Sequence, residues 1–509
     1  MCGVAACAPA APKPSSAPVI TGGRAIIEPA LPAARLRIIA TNDFHGALEA
    51  RPDATGALRG GAEYLAGAIA KAEAECRLPD CLSILLDAGD QFQGTPASNL
   101  AHGRPVIDLF NQLGLSAAAV GNHEFDWTQD TLRVLMRLAH YPMMAANVRY
   151  TDGKDVPWIP NDTMLRRGPI TVGVIGIATV DTPISTMPAN VADLRFVDPV
   201  PIIDSIAPAL RARGAQVVIV VTHEGGNCSA SGCQGEVLSV ASRLTSRVDA
   251  IISGHSHTFI NTMVNGIPVV QARSRGQAID VVDLAVGPTP AVLLHEVREV
   301  YTDSIKPDST VARMTRAALA GVAPIVNRPI ATLAEPMRND GRQNALGNFI
   351  ADAMRAIGGG DIGMMNNGGI RQSLQAGPAT YGSLFEVQPF ANTLQRVKVK
   401  GSDLRAYFAR VLEKPPNFHV SGAQVVYQTG PMHGIVSITV GGKPVNDDAI
   451  YTVIQSNFTS SGGDGLGFGS AAISTEAVGI TDLDALIQYL QSLPQPVKAP
   501  SEARLILRQ

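Results

Sequence analysis

The sequence predicts an α/β protein of two domains, and three observations carry that reading. At 509 residues the chain is longer than one hydrophobic core organises, since single cores stop growing near about 250–300 residues. From Leu36 to about Val286, short β-branched apolar runs alternate with amphipathic helical stretches, the rhythm of layered α/β structure. After the turn Lys306-Pro307-Asp308-Ser309 the rhythm changes, and no repeat links the two parts. The expected organisation is a first domain over 35–305, a linker helix within 306–329 and a second α/β domain over 330–509. Residues 1–34, rich in Ala and Pro, read as a disordered tether.

In the first domain the strands are the apolar runs Leu36 to Ala40, Leu82 to Leu86, Ala117 to Val120, Val217 to Val221 and Val248 to Ile252. Helical periodicity marks Ala62 to Cys76, Pro105 to Leu113, Thr131 to Ala139 and Ile202 to Arg213, with Gly114 and Gly214 in C-terminal capping positions. The linker helix spans Thr310 to Asn327. The second domain opens with a helix from Ala345 to Ile357, stopped by Gly358-Gly359-Gly360. A strand follows at Ile362 to Met365, and hairpin-like segments lie at Val425 to Tyr427 and Ile435 to Val440.

Composition excludes two classes of partner. No uncharged apolar run approaches the ~18 residues that span a bilayer. A net charge of -3 without a block of Lys or Arg lacks the electrostatic footprint of a polynucleotide binder. Cys76/Cys81 and Cys228/Cys233 repeat one spacing, C-x4-C, in loop-like contexts, which suggests two small disulfide loops and an oxidising compartment; free thiols are the alternative. The N-terminus has no basic n-region or full apolar h-region. Val4-Ala5-Ala6-Cys7 resembles a bacterial lipobox, so a lipid anchor at Cys7, with Cys2 as the other candidate, is one expectation for an exported, periplasmic or cell-surface protein.

Five polar clusters lie at or just beyond the ends of the five strands: Asn42-Asp43-Phe44-His45-Gly46, Asp87-Ala88-Gly89-Asp90, Gly121-Asn122-His123-Glu124-Phe125-Asp126, Thr222-His223-Glu224 and Ser253-Gly254-His255-Ser256-His257. In an open α/β sheet the loops beyond the strand carboxyl ends meet at one crevice, so these clusters should converge in space. Carboxylate, imidazole and amide oxygen without thiolate suit two hard-to-borderline divalent ions such as zinc or manganese. A carboxylate such as Asp90 can bridge two ions ~3.5 to 4 Å apart, which activate water and clamp the attacking and leaving oxygens. Asp87 reads as a turn residue. His102, His140, His295, His419 and His433 match no motif.

These clusters, as D-x-H, G-D, G-N-H-E, H and G-H-x-H in that order, resemble the calcineurin-like metallophosphoesterases and specifically the 5′-nucleotidase/UDP-sugar hydrolase family. The resemblance implies a four-layer α/β/β/α metallophosphoesterase domain followed by a C-terminal nucleotide-binding domain. It implies Asp43, His45, Asp90 and His257 on one metal and Asp90, Asn122, His223 and His255 on the other. It further implies that His123 acts on the phosphate as a stabiliser or acid, oriented by Asp126.

In the second domain, Asn366-Asn367-Gly368-Gly369-Ile370-Arg371 follows a strand, Gln388-Pro389-Phe390 comes later, and Asn457-Phe458-Thr459-Ser460-Ser461-Gly462-Gly463-Asp464-Gly465 later still. Glycines let backbone approach a ligand, an Arg fork suits phosphate, and Phe rings suit a flat base. The family carries N-x3-4-G-I/V-R, P-F nineteen residues beyond that Arg, and N-F-x-x-x-G-G-D-G; here Arg371 to Phe390 is nineteen. Carried over, Arg371 grips phosphate, Asn366 and Asp464 bind ribose or its phosphate, and Phe390 and Phe458 stack the base. Arg338 and Arg342 are both candidates for a further phosphate-binding arginine ahead of Leu346-Gly347-Asn348. The expected activity is hydrolysis of AMP-like nucleoside 5′-phosphates by a monomer or dimer. A 2′,3′-cyclic nucleotide phosphodiesterase, a sugar-nucleotide or dinucleotide pyrophosphatase, or a non-catalytic nucleotide-binding surface protein are the alternatives.

Overall fold

The computed structural model describes residues 34–53, 55–77, 81–429 and 433–508. The expected tether and its two cysteines lie outside them, except Ala34, which opens the first strand. The first lobe holds two six-stranded sheets. One runs in the order Ala291–Glu299, Ala278–Val286, Ala34–Thr41, Cys81–Asp87, Ala117–Ala119, Met143–Met144; the other runs Phe259–Val264, Ile267–Ala272, Ala250–Ile252, Val217–Thr222, Ile170–Ile177, Asp162–Arg167. Their central strands are parallel. Both faces of these strands are covered, which is why they read as unbroken apolar runs instead of alternating ones.

The sheets face each other through Leu36, Ile38, Ile84 and Leu86 on one side and Val172, Val174, Ile219, Val221 and Val270 on the other. The helices Ala62–Glu75, Arg104–Leu113 and Thr128–Leu138 cover the outer face of the first sheet. Pro199–Ala212 and Glu236–Arg243 cover that of the second. The result is the α/β/β/α sandwich that the resemblance implied. Each of the five expected strands is present within two residues of its expected bounds.

Among the strands with no clear signal in the sequence are Ala278–Val286 and Ala291–Glu299. The first carries Asp280 and Asp283 at buried positions, which breaks the apolar pattern. Asp283 is tolerated there because Arg37, on the neighbouring strand, donates to both its oxygens at 2.8 Å, and Arg35 pairs with it too. Those ion pairs hold its carboxyl below the usual carboxylate range although burial pushes the other way.

The connecting helix runs Ser309–Val326, one residue earlier at each end than the sequence suggests. Asp308 caps it, accepting the N–H groups of Thr310 and Val311 at 2.8 Å each. Val311 is buried in the first lobe's outer core, while the same helix also touches Tyr381–Val387 of the second lobe.

That second lobe is built on a five-stranded sheet, Phe418–Ser421, Ile362–Asn366, Ile450–Ser456, Thr393–Lys400 and Ser474–Thr481. The helices Ala345–Gly358 and Asp482–Ser492 pack on one face and Gly401–Val411 on the other. Disulfides join Cys76 to Cys81 and Cys228 to Cys233. Among the described residues no helix is long and apolar enough to cross a membrane. His419 is a core residue pointing Nδ1 at Asn348 Oδ1, 3.2 Å away, as its lack of any motif led one to expect.

Candidate metal centre and substrate cleft

All five polar clusters converge at the end of the sandwich where the strands of both sheets stop. The turns that bring them together are strained. Asp43, His45, Asp90, His255 and His257 all have φ between 50° and 73°, a left-handed conformation that costs non-glycine residues about 1–3 kcal/mol each. Buried packing holds them there: Asp43, His45 and Asp90 are no more than 2% exposed. Gly121 is required beside them, because a Cβ at that position would overlap the Asp90 carboxylate.

Two carboxylates sit among imidazoles whose far nitrogens are already tied down. His45 Nδ1 is 2.8 Å from the carbonyl of Gln93 and His223 Nδ1 is 2.7 Å from that of Ala88. Each ring therefore turns its Nε2 inward, and His223 is fully buried. Asp90 Oδ2 lies 3.0 Å from His223 Nε2 and 3.7 Å from His45 Nε2. Asp43 Oδ1 lies 3.3 Å from His257 Nε2 and 3.9 Å from the Nε2 atoms of His45 and His223. His45 and His257 bring their Nε2 atoms within 2.9 Å of each other, and His255 Nδ1 is 3.1 Å from Asn122 Oδ1.

Inward nitrogens crowded together with carboxylate and amide oxygens form a donor set that fits divalent cations. Among the described residues two overlapping groups have ligand atoms close enough to hold an ion, Asp43/His45/His257 and Asp43/Asp90/His223, with Asp43 common to both. Asp90, expected as the bridge, faces rings of both groups as well.

The side chains behind this cluster are scaffolding. Glu124, given no role in the sequence reading, accepts the backbone N–H groups of Asp90, Gln91 and Gly121 at 2.7–2.8 Å and so locks two motif loops together. Its position inside G-N-H-E was the signal available. Asp87 is the turn residue expected, taking hydrogen bonds from Thr41, Gly89 and Gln91.

His123 Nδ1 stands 2.7 Å from Asp126 Oδ2, and its Nε2 is 4.0 Å from Asp90 Oδ2. Burial disfavours the charge on this ring, yet Asp126 and then Asp90 raise its pKa above the ordinary histidine value.

A cleft of about 280 Å³ opens over these groups, and both lobes line it. From the first lobe come Asp90, Asn122, His123, Asp126, His255 and His257; from the second, Asn366, Arg371, Phe390, Phe458 and Asp464. Arg371 Nη2 is 3.2 Å from His45 Nε2, and its guanidinium lies 5.7 Å from the centre of the Phe390 ring. Phe390 in turn stacks on His123, centroids 5.4 Å apart. Asp464 accepts Asn366 Nδ2 at 2.7 Å. Gly463 lies flat on the face of Phe458, where a Cβ would overlap the ring.

Arg338 and Arg342 are not brought into the cleft lining: both are exposed, and Arg338 faces Asp340 at 3.8 Å. Conversely, Asp181, Ile184, Ser185, Thr186 and Met187 do line it, on a segment that bore no sequence signal for a site. Arg275, also unforeseen, reaches across the lobes to the carbonyl of Arg371 at 2.6 Å and to Gln372 Oε1 at 2.7 Å.

Residues 36–259 match the calcineurin-like phosphoesterase family, and residues 327–471 match the 5′-nucleotidase C-terminal domain. The endonuclease YhcR of Bacillus subtilis (strain 168) is 29% identical over 503 residues, 93% of this chain, although the chain spans only 41% of that relative's length. A 5′-nucleotidase of Vibrio cholerae is 26% identical over 518 residues, 90% of each protein. The crystal structure of a 5′-nucleotidase precursor from Thermus thermophilus superposes with a TM-score of 0.82 at 25% identity, covering 93% of this chain and 99% of that one.

Proposed function

This chain belongs to the 5′-nucleotidase family of metal-dependent phosphoesterases, and on that premise we propose that it hydrolyses nucleoside 5′-monophosphates to nucleoside and phosphate. The observation that carries the reading is the shared cleft, in which a cation-binding cluster of one lobe faces an arginine and two aromatic rings of the other. Asp43, His45, Asp90 and His257 would hold one divalent cation and Asp90, Asn122, His223 and His255 a second, zinc or manganese by the donor types. When bound, such a pair supplies charge neutralisation at phosphate oxygens and activation of the attacking water.

The protein's own groups do the rest. Arg371, half-buried and carrying no carboxylate partner within 4 Å among the described residues, grips the phosphate through its planar fork. His123, held by Asp126 with Nε2 toward the cleft, donates a hydrogen bond to the phosphoryl oxygen on which charge develops. Phe390 and Phe458 take the base, and Asn366 and Asp464 the ribose. A cleft of about 280 Å³ and a net charge of -3 suit a mononucleotide and speak against polynucleotide substrates, despite the name of the Bacillus relative. The two disulfides support an exported protein. Arg338 and Arg342 keep a phosphate-binding role only through the family resemblance.

The test is chromatographic identification of the products formed from AMP, ADP, UDP-glucose and 2′,3′-cAMP, namely nucleoside with inorganic phosphate, UMP with glucose 1-phosphate, or a ring-opened monophosphate, after chelation and metal replacement. AMP hydrolysis should vanish in EDTA and return with zinc, manganese or cobalt. Full activity in EDTA after dialysis contradicts the metal-dependent reading, and faster cleavage of the cyclic or sugar nucleotide replaces the substrate named here.

A further inference from the structure

The segment Thr182 to Met187 lines the cleft and touches three parts of the site at once. Its short helix, Thr182–Ser185, packs against the turn Gly463–Gly465 of the second lobe. The carbonyl of Ser185 accepts Asn122 Nδ2 at 3.1 Å, which fixes the amide so that Oδ1 points toward His255. The next residue, Thr186, is 2% exposed and donates its hydroxyl to Asp126 Oδ1 at 2.7 Å. Asp126 thereby has each oxygen committed to one partner: Oδ1 to Thr186 and Oδ2 to His123 Nδ1. Its backbone is pinned as well, because Asn190 Nδ2 donates to the carbonyls of Phe125 and Asp126 at 2.9 and 3.0 Å.

A carboxylate with one hydrogen bond can swing about its side-chain torsions. With a second bond on the opposite oxygen it is held in one orientation, and the imidazole it carries is held with it. We infer that Thr186 is a positioning residue for phosphoester cleavage, keeping Asp126, and through it the His123 ring, aimed at the phosphoryl group. Among the described residues the Thr186 hydroxyl makes no hydrogen bond to a candidate metal ligand; it acts along the line Thr186–Asp126–His123. The inference rests on the nucleotidase reading in taking His123 as the group that meets the phosphate.

Thr186→Val keeps the branched shape and removes only the hydroxyl. With the metal-loaded full chain and AMP, it should lower kcat about 10-fold, the low end of what loss of an orienting partner costs. KM should stay within about 2-fold and metal content should be unchanged, because the ligands and the base site are untouched. Thr186→Ser, which restores the donor, should recover most of kcat. The decisive comparison is the double-mutant cycle: in a His123→Ala background, Thr186→Val should change kcat by less than about 2-fold, since its route to the substrate is gone. A full 10-fold loss in that background, or wild-type kcat in Thr186→Val, overturns the inference. A readout without substrate keeps it separate from the assignment of function. The downfield Nδ1 proton of His123, identified by its absence in His123→Ala, should shift or vanish in Thr186→Val and return in Thr186→Ser. An unmoved resonance rejects the positioning role even if AMP proves not to be the substrate, whereas an enzyme inert toward AMP with a moved resonance rejects the nucleotidase reading alone.

Discussion

His123 shows how much of a residue's task is set by what stands behind it. With Nδ1 committed to Asp126 at 2.7 Å, the ring presents Nε2 to the cleft. His123→Ala should lower kcat about 100-fold or more while leaving metal content intact, as loss of one preorganised transition-state contact does. Rate and metal content measured together check this, and joint loss of both metals and activity would make His123 a ligand instead. His123 and the seven candidate ligands were legible in the sequence because each stands in a short motif at a strand end. Thr186 and Arg275 were not. Nothing in the residue types of Asp181 to Met187 or Arg273 to Gly276 marks them, and their contacts reach residues 60 to 97 positions away, which only the folded chain brings near.

At the level of elements, the parallel strands were legible because burial on both faces makes them continuously apolar. The antiparallel strand Ala278–Val286 was obscured by its two aspartates. They differ in kind. Asp283 is offset by arginine, whereas Asp280 shares the inter-sheet face with Val282 and Ala40, and among the described residues neither of its oxygens has a hydrogen-bond partner. Burial alone raises its pKa well above the ordinary carboxylate value. The folded state therefore keeps a proton that the unfolded chain gives up near pH 4, so stability falls as pH rises from there toward the folded pKa. Each pKa unit of that upward shift corresponds to about 1.4 kcal/mol. Asp280→Leu should thus raise Tm at pH 7 by more than at pH 4, flattening the stability profile between them. Thermal unfolding at the two pH values checks it; an equal gain at both would mean that the carboxyl carries no such penalty.

For the molecule as a whole, two lobes make one cleft, and the helix Ser309–Val326 belongs to the seam between them, packing on both. Contacts cross the seam beside the site: Arg51 pairs with Glu386, Asn99 Nδ2 donates to the carbonyl of Pro389 at 3.0 Å, and Arg275 holds the Arg371 turn. The sequence showed that two domains exist and which motifs each carries, but not that Phe390 would stack on His123, since that depends on how the lobes meet. On the proposed function one substrate spans both lobes, its phosphate at the candidate metal ligands and its base on the aromatic rings. The deciding measurement compares AMP with p-nitrophenyl phosphate, which has no nucleobase, in wild type and Phe458→Ala. Loss of a stacking ring should weaken kcat/KM for AMP by about 5- to 150-fold, while p-nitrophenyl phosphate hydrolysis stays near wild type. An equal fall for both substrates would contradict the account, because Phe458 would then be supporting the fold and not holding a base.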